Sequence, residues 1–135
     1  MTAGHVYVRV YWEDTDAGGV VYHASYLRFM ERGRTELLRE RGIDQSALLS
    51  ESGLIFVVTH MDIRFRAPAK IDDELDVETV MKEIGGASVA LAQKVRRGAD
   101  ILVEAEVTCA VISQHGRPAR IPAEIRQKLG APSLP

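Results

Sequence analysis

The sequence predicts an α+β domain in which an antiparallel sheet buries one face on a single long helix. Three observations carry this reading. Residues 23–41 space their apolar side chains at helical intervals. Residues 101–113 alternate, with Ile101, Val103, Ala105, Val107, Cys109 and Val111 on one face and Glu104, Glu106 and Thr108 on the other. Glycine turns at Gly85-Gly86 and Gly98-Ala99-Asp100 divide the apolar runs after Ser52 into strands.

In chain order, Val6 to Trp12 is rich in β-branched and aromatic residues and reads as the first strand. Asp14-Thr-Asp-Ala-Gly-Gly19 breaks it. From His23 to Arg41, Tyr26, Phe29, Met30, Gly33, Leu37 and Leu38 form one stripe, with Gly42 as the expected C-cap. A helix of that length spans about 28 Å, enough to cross a small domain. Gly33 on the stripe predicts that another backbone passes close there. Leu54–Phe65, Glu74–Ile84, Ala87–Arg97 and Ile101–Ser113 read as strands, and Pro122–Leu129 as a short terminal helix with Pro near its first position. A sheet wrapped on one helix leaves edge strands unpaired, so pairing between copies, as a dimer or a dimer of dimers, is expected.

The chain has 135 residues, one domain's worth, and no linker or repeat divides residues 1–135. Its 17 Lys plus Arg against 19 Asp plus Glu give a net charge of −2, which argues against a phosphate-backbone binder; nucleic acid is not an expected partner. The 46% hydrophobic share excludes a disordered tail. A single cysteine, Cys109, excludes a disulfide framework and most cysteine-ligated metal sites. No apolar run approaches the roughly 20 residues needed to span a bilayer, and Met1 to Arg9 lacks a secretory pattern. These features point to a soluble cytoplasmic protein.

The loop before the helix, Trp12-Glu-Asp-Thr-Asp-Ala-Gly-Gly-Val-Val-Tyr-His-Ala-Ser-Tyr26, resembles the signature of the hotdog-fold 4-hydroxybenzoyl-CoA thioesterase family, closest to its Tol–Pal-associated acyl-CoA thioesterase branch. The likeness continues through Glu31-Arg-Gly-Arg-Thr-Glu36, Arg66-Ala-Pro-Ala-Lys-Ile-Asp-Asp73 and Arg117-Pro-Ala-Arg-Ile-Pro122. It implies five antiparallel strands wrapped around the long helix, assembly into dimers and often tetramers, and hydrolysis of an acyl-CoA thioester without cofactor or metal. By the same resemblance Asp16, the second Asp of Asp-x-Asp, is the catalytic carboxylate and His23 shares the site. Trp12, Gly18, Gly19, Val20, Tyr22 and Tyr26 are then expected around the substrate. Trp12 stands where many members carry Tyr, so a phenol hydroxyl is replaced by an indole N–H.

The chemistry accords with these residues. A thiolate leaves readily, its conjugate thiol having a pKa near 8.5, so one carboxylate suffices. It can attack the carbonyl to form an anhydride or act as base toward water. Free N–H groups at the helix start are natural oxyanion donors, the backbone N–H of His23 being the candidate. The His23 ring either orients substrate or water, or sits as an imidazolium beside Asp16. Gly18 and Gly19 let the backbone approach the thioester.

Plainer readings compete. Asp-x-Asp before glycines is commonly a turn. A calcium loop from Asp14 fails because its twelfth position is Ser25, where such loops need a bidentate Glu. Glu31 and Glu36 are expected to pair with Arg32, Arg34 or Arg39 on the helix surface, with Glu31 retaining a place at the pocket. His60, Asp62 and Arg64 read as a polar strand face, and Cys109 as a small buried hydrophobe. Two other functions remain open: a hydratase or dehydratase on thioesters, and a non-catalytic adaptor for an acyl-carrier protein, with Arg64, Arg66, Lys70, Arg96 and Arg97 available to an acidic carrier or to the CoA phosphates.

Overall fold

A computed structural model describes residues 3–130; Met1, Thr2 and residues 131–135 of the expected domain lie outside the described residues. Helix α1 (Ser25–Glu40) lies against a five-stranded antiparallel sheet of β1 (Gly4–Arg9), β2 (Leu54–Phe65), β3 (Glu74–Ile84), β4 (Ser88–Arg97) and β5 (Asp100–Ser113). The spatial order is β1-β3-β4-β5-β2. The meander β3-β4-β5 is therefore the middle of the sheet, and β1 and β2 are its edges. Two shorter helices, α2 (Gln45–Ser52) and α3 (Ala123–Gly130), complete the described chain. No helix is long and apolar enough to cross a membrane among the described residues.

The apolar stripe builds the core as its spacing requires. Tyr26, Phe29, Met30, Gly33, Leu37 and Leu38 are all buried, against an inward sheet face that includes Leu75, Val77, Leu91, Val95, Val103 and Val107. Burying each large apolar side chain contributes roughly 1.5–3 kcal/mol, which outweighs the weak helix propensity of the aromatic and glycine positions. At Gly33 the nearest groups are side chains of the sheet, where the sequence suggested a backbone. A Cβ there would stand 2.8 Å from Thr79 Oγ1 and 2.9 Å from a Val77 methyl.

Two boundaries and one inward-facing position depart from the expected ones. The first strand ends at Arg9, because the Asp14 carboxylate takes the Tyr11 N–H (2.9 Å) and winds Trp12–Asp14 into a 3-10 turn. Helix α1 begins at Ser25, two residues after His23. Ile101 is only partly buried and Leu102 takes its place inward, since the β4–β5 register skips from Val95↔Val103 to Arg96↔Ile101. Helix α2 was not foreseen. Asp44 caps it through Ser46 N–H (2.9 Å) and Ala47 N–H (3.2 Å), and Gly53 ends it with φ of 67°.

Candidate active site

The loop between β1 and α1 carries two aspartates with different environments. Asp14 is buried. Its carboxylate accepts from the Tyr11 N–H and from Arg28 (3.1 Å), and its carbonyl oxygen accepts from the Tyr22 N–H (2.9 Å) and the Ser25 hydroxyl (3.1 Å). Asp16 is exposed. One of its carboxylate oxygens, Oδ1, accepts the Gly18 N–H at 2.8 Å, an Asx turn that fixes the side chain and leaves Oδ2 without a protein partner among the described residues.

The loop then doubles back. Asp16 N–H donates to Val20 O (2.9 Å), Gly19 N–H donates to Asp16 O (3.1 Å), and Thr15 pairs with Val21 as an antiparallel bridge. Gly19 makes this turn at φ of 81°, a conformation that side-chain-bearing residues adopt at a cost. A Cβ on Gly18 would press on Asp16 Oδ1 at 3.2 Å. The fold thus returns the chain past Asp16 on its way to His23.

Before α1 the chain winds in tight turns. Ser25, Tyr26 and Leu27 N–H donate to Tyr22 O (2.8 Å), His23 O (3.3 Å) and Ala24 O (3.2 Å). The expected pool of free helix-start donors is accordingly smaller than the sequence suggested. His23 and Ala24 N–H are the ones that donate to no backbone carbonyl among the described residues. His23 N–H, the oxyanion candidate, is among them.

The His23 ring sits 4.5 Å from Tyr22 and 6.2 Å from Phe65, ring centre to ring centre. His23, Tyr26 and Phe65 line an open cavity of about 260 Å³ with Val21 and the segment Arg66-Ala67-Pro68. Tyr26 is buried, and its hydroxyl accepts the Ala69 N–H at 3.1 Å. Burial pushes its phenol up against the opposing pull of that bond and of Arg97. The Arg66–Asp73 segment is held onto the loop by Val21 N–H to Ala69 O (2.8 Å) and a Val20–Lys70 bridge. Its far end is pinned by Asp73. Burial alone raises that carboxyl, but the Lys70 N–H (2.9 Å) and the Arg97 guanidinium (2.8 Å) together draw it below the usual carboxylate range.

The structure brings the predicted residues together unevenly. Val20 joins the Lys70 bridge, Tyr22 packs on His23, and Tyr26 and His23 share the cavity. Asp16, Gly18 and Gly19 form the adjoining turn but do not line that cavity. Trp12, 74% exposed, lies in a separate shallow groove with Tyr11, Glu13, Ile71 and Asp72. Phe65, Ala67 and Pro68 were missed as wall residues; the Arg-Ala-Pro segment after the second strand was the available signal. Of the five basic residues offered to an acidic partner, Arg66 pairs with Glu104 (2.6 Å), Arg96 with Glu78 (3.7 Å) and Arg97 with Asp73 (2.8 Å). Glu36 pairs with Arg39 (3.4 Å) as expected, whereas Glu31 makes no ion pair among the described residues.

Known proteins resemble this chain in sequence and fold. The family model described as "Thioesterase-like superfamily" matches residues 10–129. The acyl-CoA thioesterase YbgC of Haemophilus influenzae is 46% identical over 120 residues, 88% of each chain. The acyl-CoA thioester hydrolase YbgC of Escherichia coli is 43% identical over 126 residues, 89% of this chain and 93% of that one. The crystal structure of a probable thioesterase from Bartonella henselae superposes with a TM-score of 0.85 at 43% identity, covering 90% of this chain and 100% of that chain. A five-stranded antiparallel sheet packed on one long helix and a family match over residues 10–129 together place the chain in the thioesterase-like superfamily, with the hotdog fold.

Proposed function

We propose that the protein hydrolyses acyl-CoA thioesters with Asp16 as the reacting carboxylate. Its relatives at 43–46% identity carry acyl-CoA thioester hydrolysis in their names. The observation that carries the residue assignment is the pair of aspartates: Asp14 is consumed by structural bonds, while Asp16 is anchored through Oδ1 and keeps Oδ2 for chemistry. Either Oδ2 attacks the carbonyl carbon, the C–S bond breaks and the thiolate leaves, and water then cleaves the anhydride to restore the carboxylate; or Oδ2 takes a proton from water as that water adds, the tetrahedral intermediate collapses with C–S cleavage, and the departing thiolate recovers the proton. In both routes the His23 N–H receives the developing oxyanion, and the His23 ring orients the thioester at the cavity mouth. Gly19 holds the turn; Trp12, Gly18, Val20, Tyr22 and Tyr26 shape its surroundings.

A second copy of the chain completes the site in this reading. Asp16 is exposed and stands outside the His23 cavity, and edge strand β2 presents 12 residues with Val58 and Phe65 about half exposed. Long uncovered edges of this kind are managed by pairing, and an antiparallel β2–β2 pair about a two-fold axis is self-complementary. Dimers, and tetramers built from them, follow, acting in the cytoplasm. CoA is taken as the carrier because the relatives at 43–46% identity are named for acyl-CoA thioesters. The test is thiol release from a panel of acyl-CoAs. Wild type turns over members of the panel and Asp16→Asn loses about a hundredfold or more in kcat; turnover within threefold of wild type would remove Asp16 from the mechanism.

A further inference from the structure

A second cavity, about 130 Å³, opens between α1 and β2, away from the Asp16 turn. One wall carries Glu31, Arg34 and Thr35; the opposite wall is apolar and includes Phe56, Met81 and Leu91. A dry apolar cavity of roughly 150 Å³ holds benzene, so this one accommodates a group of that size.

The buried network behind Arg34 is costly to build. Gln93 and Thr79 are 1% and 0% exposed on an otherwise apolar sheet face. Gln93 donates to Met30 O (2.9 Å) and Thr79 Oγ1 (2.9 Å), and its side-chain carbonyl accepts from Arg34 (3.1 Å). Gly33 makes the room, since a Cβ there would lie 3.1 Å from Gln93 Nε2. Buried polar groups of this kind persist when the network they form is satisfied, and this one ends at the Arg34 guanidinium.

Arg34 appears in no contact ion pair among the described residues; Glu31, which lines the same cavity, acts on it only through space. Burial lowers its basicity, and burial also pushes the neighbouring Cys109 thiol up, so that sulfur is a neutral neighbour near pH 7. Thr35 is primed as a second donor: Gln45 Nε2 donates to its Oγ1 (3.3 Å), which leaves the hydroxyl proton free to point into the cavity. The guanidinium leans back along α1, reaching the Gln93 amide that is bonded at Met30. Met30 lies one turn, about 6 Å, from the Tyr26 level where the thioester mouth begins.

We propose that this cavity receives the far end of the substrate's acyl group, and that it selects a short tail ending in a carboxylate, bound by the Arg34 guanidinium and the Thr35 hydroxyl. The placement of the tail's other end rests on the thioesterase reading above; the selectivity itself is tested without turnover. Thioether analogues of CoA carrying a 4-carboxybutyl or a pentyl tail are titrated against the wild-type protein. The carboxylate-tipped analogue binds about tenfold tighter or more. Arg34→Met abolishes that ratio, and Thr35→Val reduces it several-fold, which keeps the test available should Arg34→Met fail to fold. Equal affinity for the two tails in wild type, binding of neither, or a ratio that survives Arg34→Met overturns the inference. So does an Arg34→Met variant that changes only the oligomeric state, because Arg34 would then bridge copies of the chain. Hydrolysis of acyl-CoAs with tail-blind binding leaves the thioesterase reading standing and removes the cavity's role; tail-selective binding with no hydrolysis does the reverse.

Discussion

Asp14 and Asp16 stand two residues apart on one loop and have opposite surroundings. Asp14 is enclosed by the Tyr11 N–H, Arg28, the Tyr22 N–H and the Ser25 hydroxyl, and it shapes the entrance to α1. Asp16 has one fixed oxygen and one free oxygen in an exposed turn. A carboxylate with both oxygens bonded to the protein stabilises the fold; one held through a single oxygen can react through the other. The difference is made by local backbone geometry, since the chain closes around Asp14 and turns away at Gly18-Gly19. With Asp16 proposed as the reacting carboxylate, the same loop divides stability and chemistry between separate positions.

The comparison predicts separable effects. The largest on stability is at Asp14. Asp14→Ala strands the Tyr11 N–H and unfastens Arg28, and costs about 2 kcal/mol, with half-exposed Arg28 adding little. Calorimetry should show Tm lower by roughly 6–10 °C, with activity per folded molecule within a few-fold of wild type. Gly19→Ala comes next. Forcing a Cβ into φ of 81° costs about 1–2 kcal/mol, taken up by re-aiming the Asp16 turn. Steady-state kinetics should show kcat falling about tenfold with Tm nearly unchanged; an unaltered kcat would mean that the turn's geometry does not aim the carboxylate.

The smallest effect concerns Asp73, a third carboxylate that sharpens the contrast because it is structural but only partly enclosed. Its folded-state carboxyl lies below the ordinary range, so it contributes stability at pH values above about 4, and that contribution fades as acid protonates the folded protein. The contribution is below about 1 kcal/mol, because Arg97 is about a third exposed and solvent screens the pair. Denaturant midpoints of wild type and Asp73→Asn should differ at neutral pH and converge as pH falls below the carboxylate range. A gap that persists in acid would assign Asp73's role to something other than its charge.

The fold was legible where local pattern and burial agree. The stripe Tyr26 to Leu38 and the span Leu54–Phe65 followed from periodicity alone. Helix α2 escaped because only Leu48 among its residues is buried, leaving no apolar stripe; its signals were the Asp44 and Gly53 caps. The inward turn of Leu102 depends on a register skip against β4, which no alternation within β5 encodes. For the site, the loop residues are close in sequence and were found together. The cavity wall of Phe65, Ala67 and Pro68 arrives through β2–β5 pairing from some 40 residues further along the chain, and the Gln93–Arg34 network joins two elements separated by 59 residues. Trp12 is close to the Asp16 turn in sequence and lies in a separate groove, a placement that no local motif encodes.

The most direct test measures both readouts on both aspartates: thiol release and Tm for Asp16→Asn and Asp14→Asn, at matched folded concentration. The account predicts that Asp16→Asn loses about a hundredfold or more in kcat with Tm within about 2 °C of wild type, while Asp14→Asn loses Tm and keeps most of its turnover. Asp16→Asn that retains turnover within threefold, or that loses it only in proportion to unfolding, would contradict it.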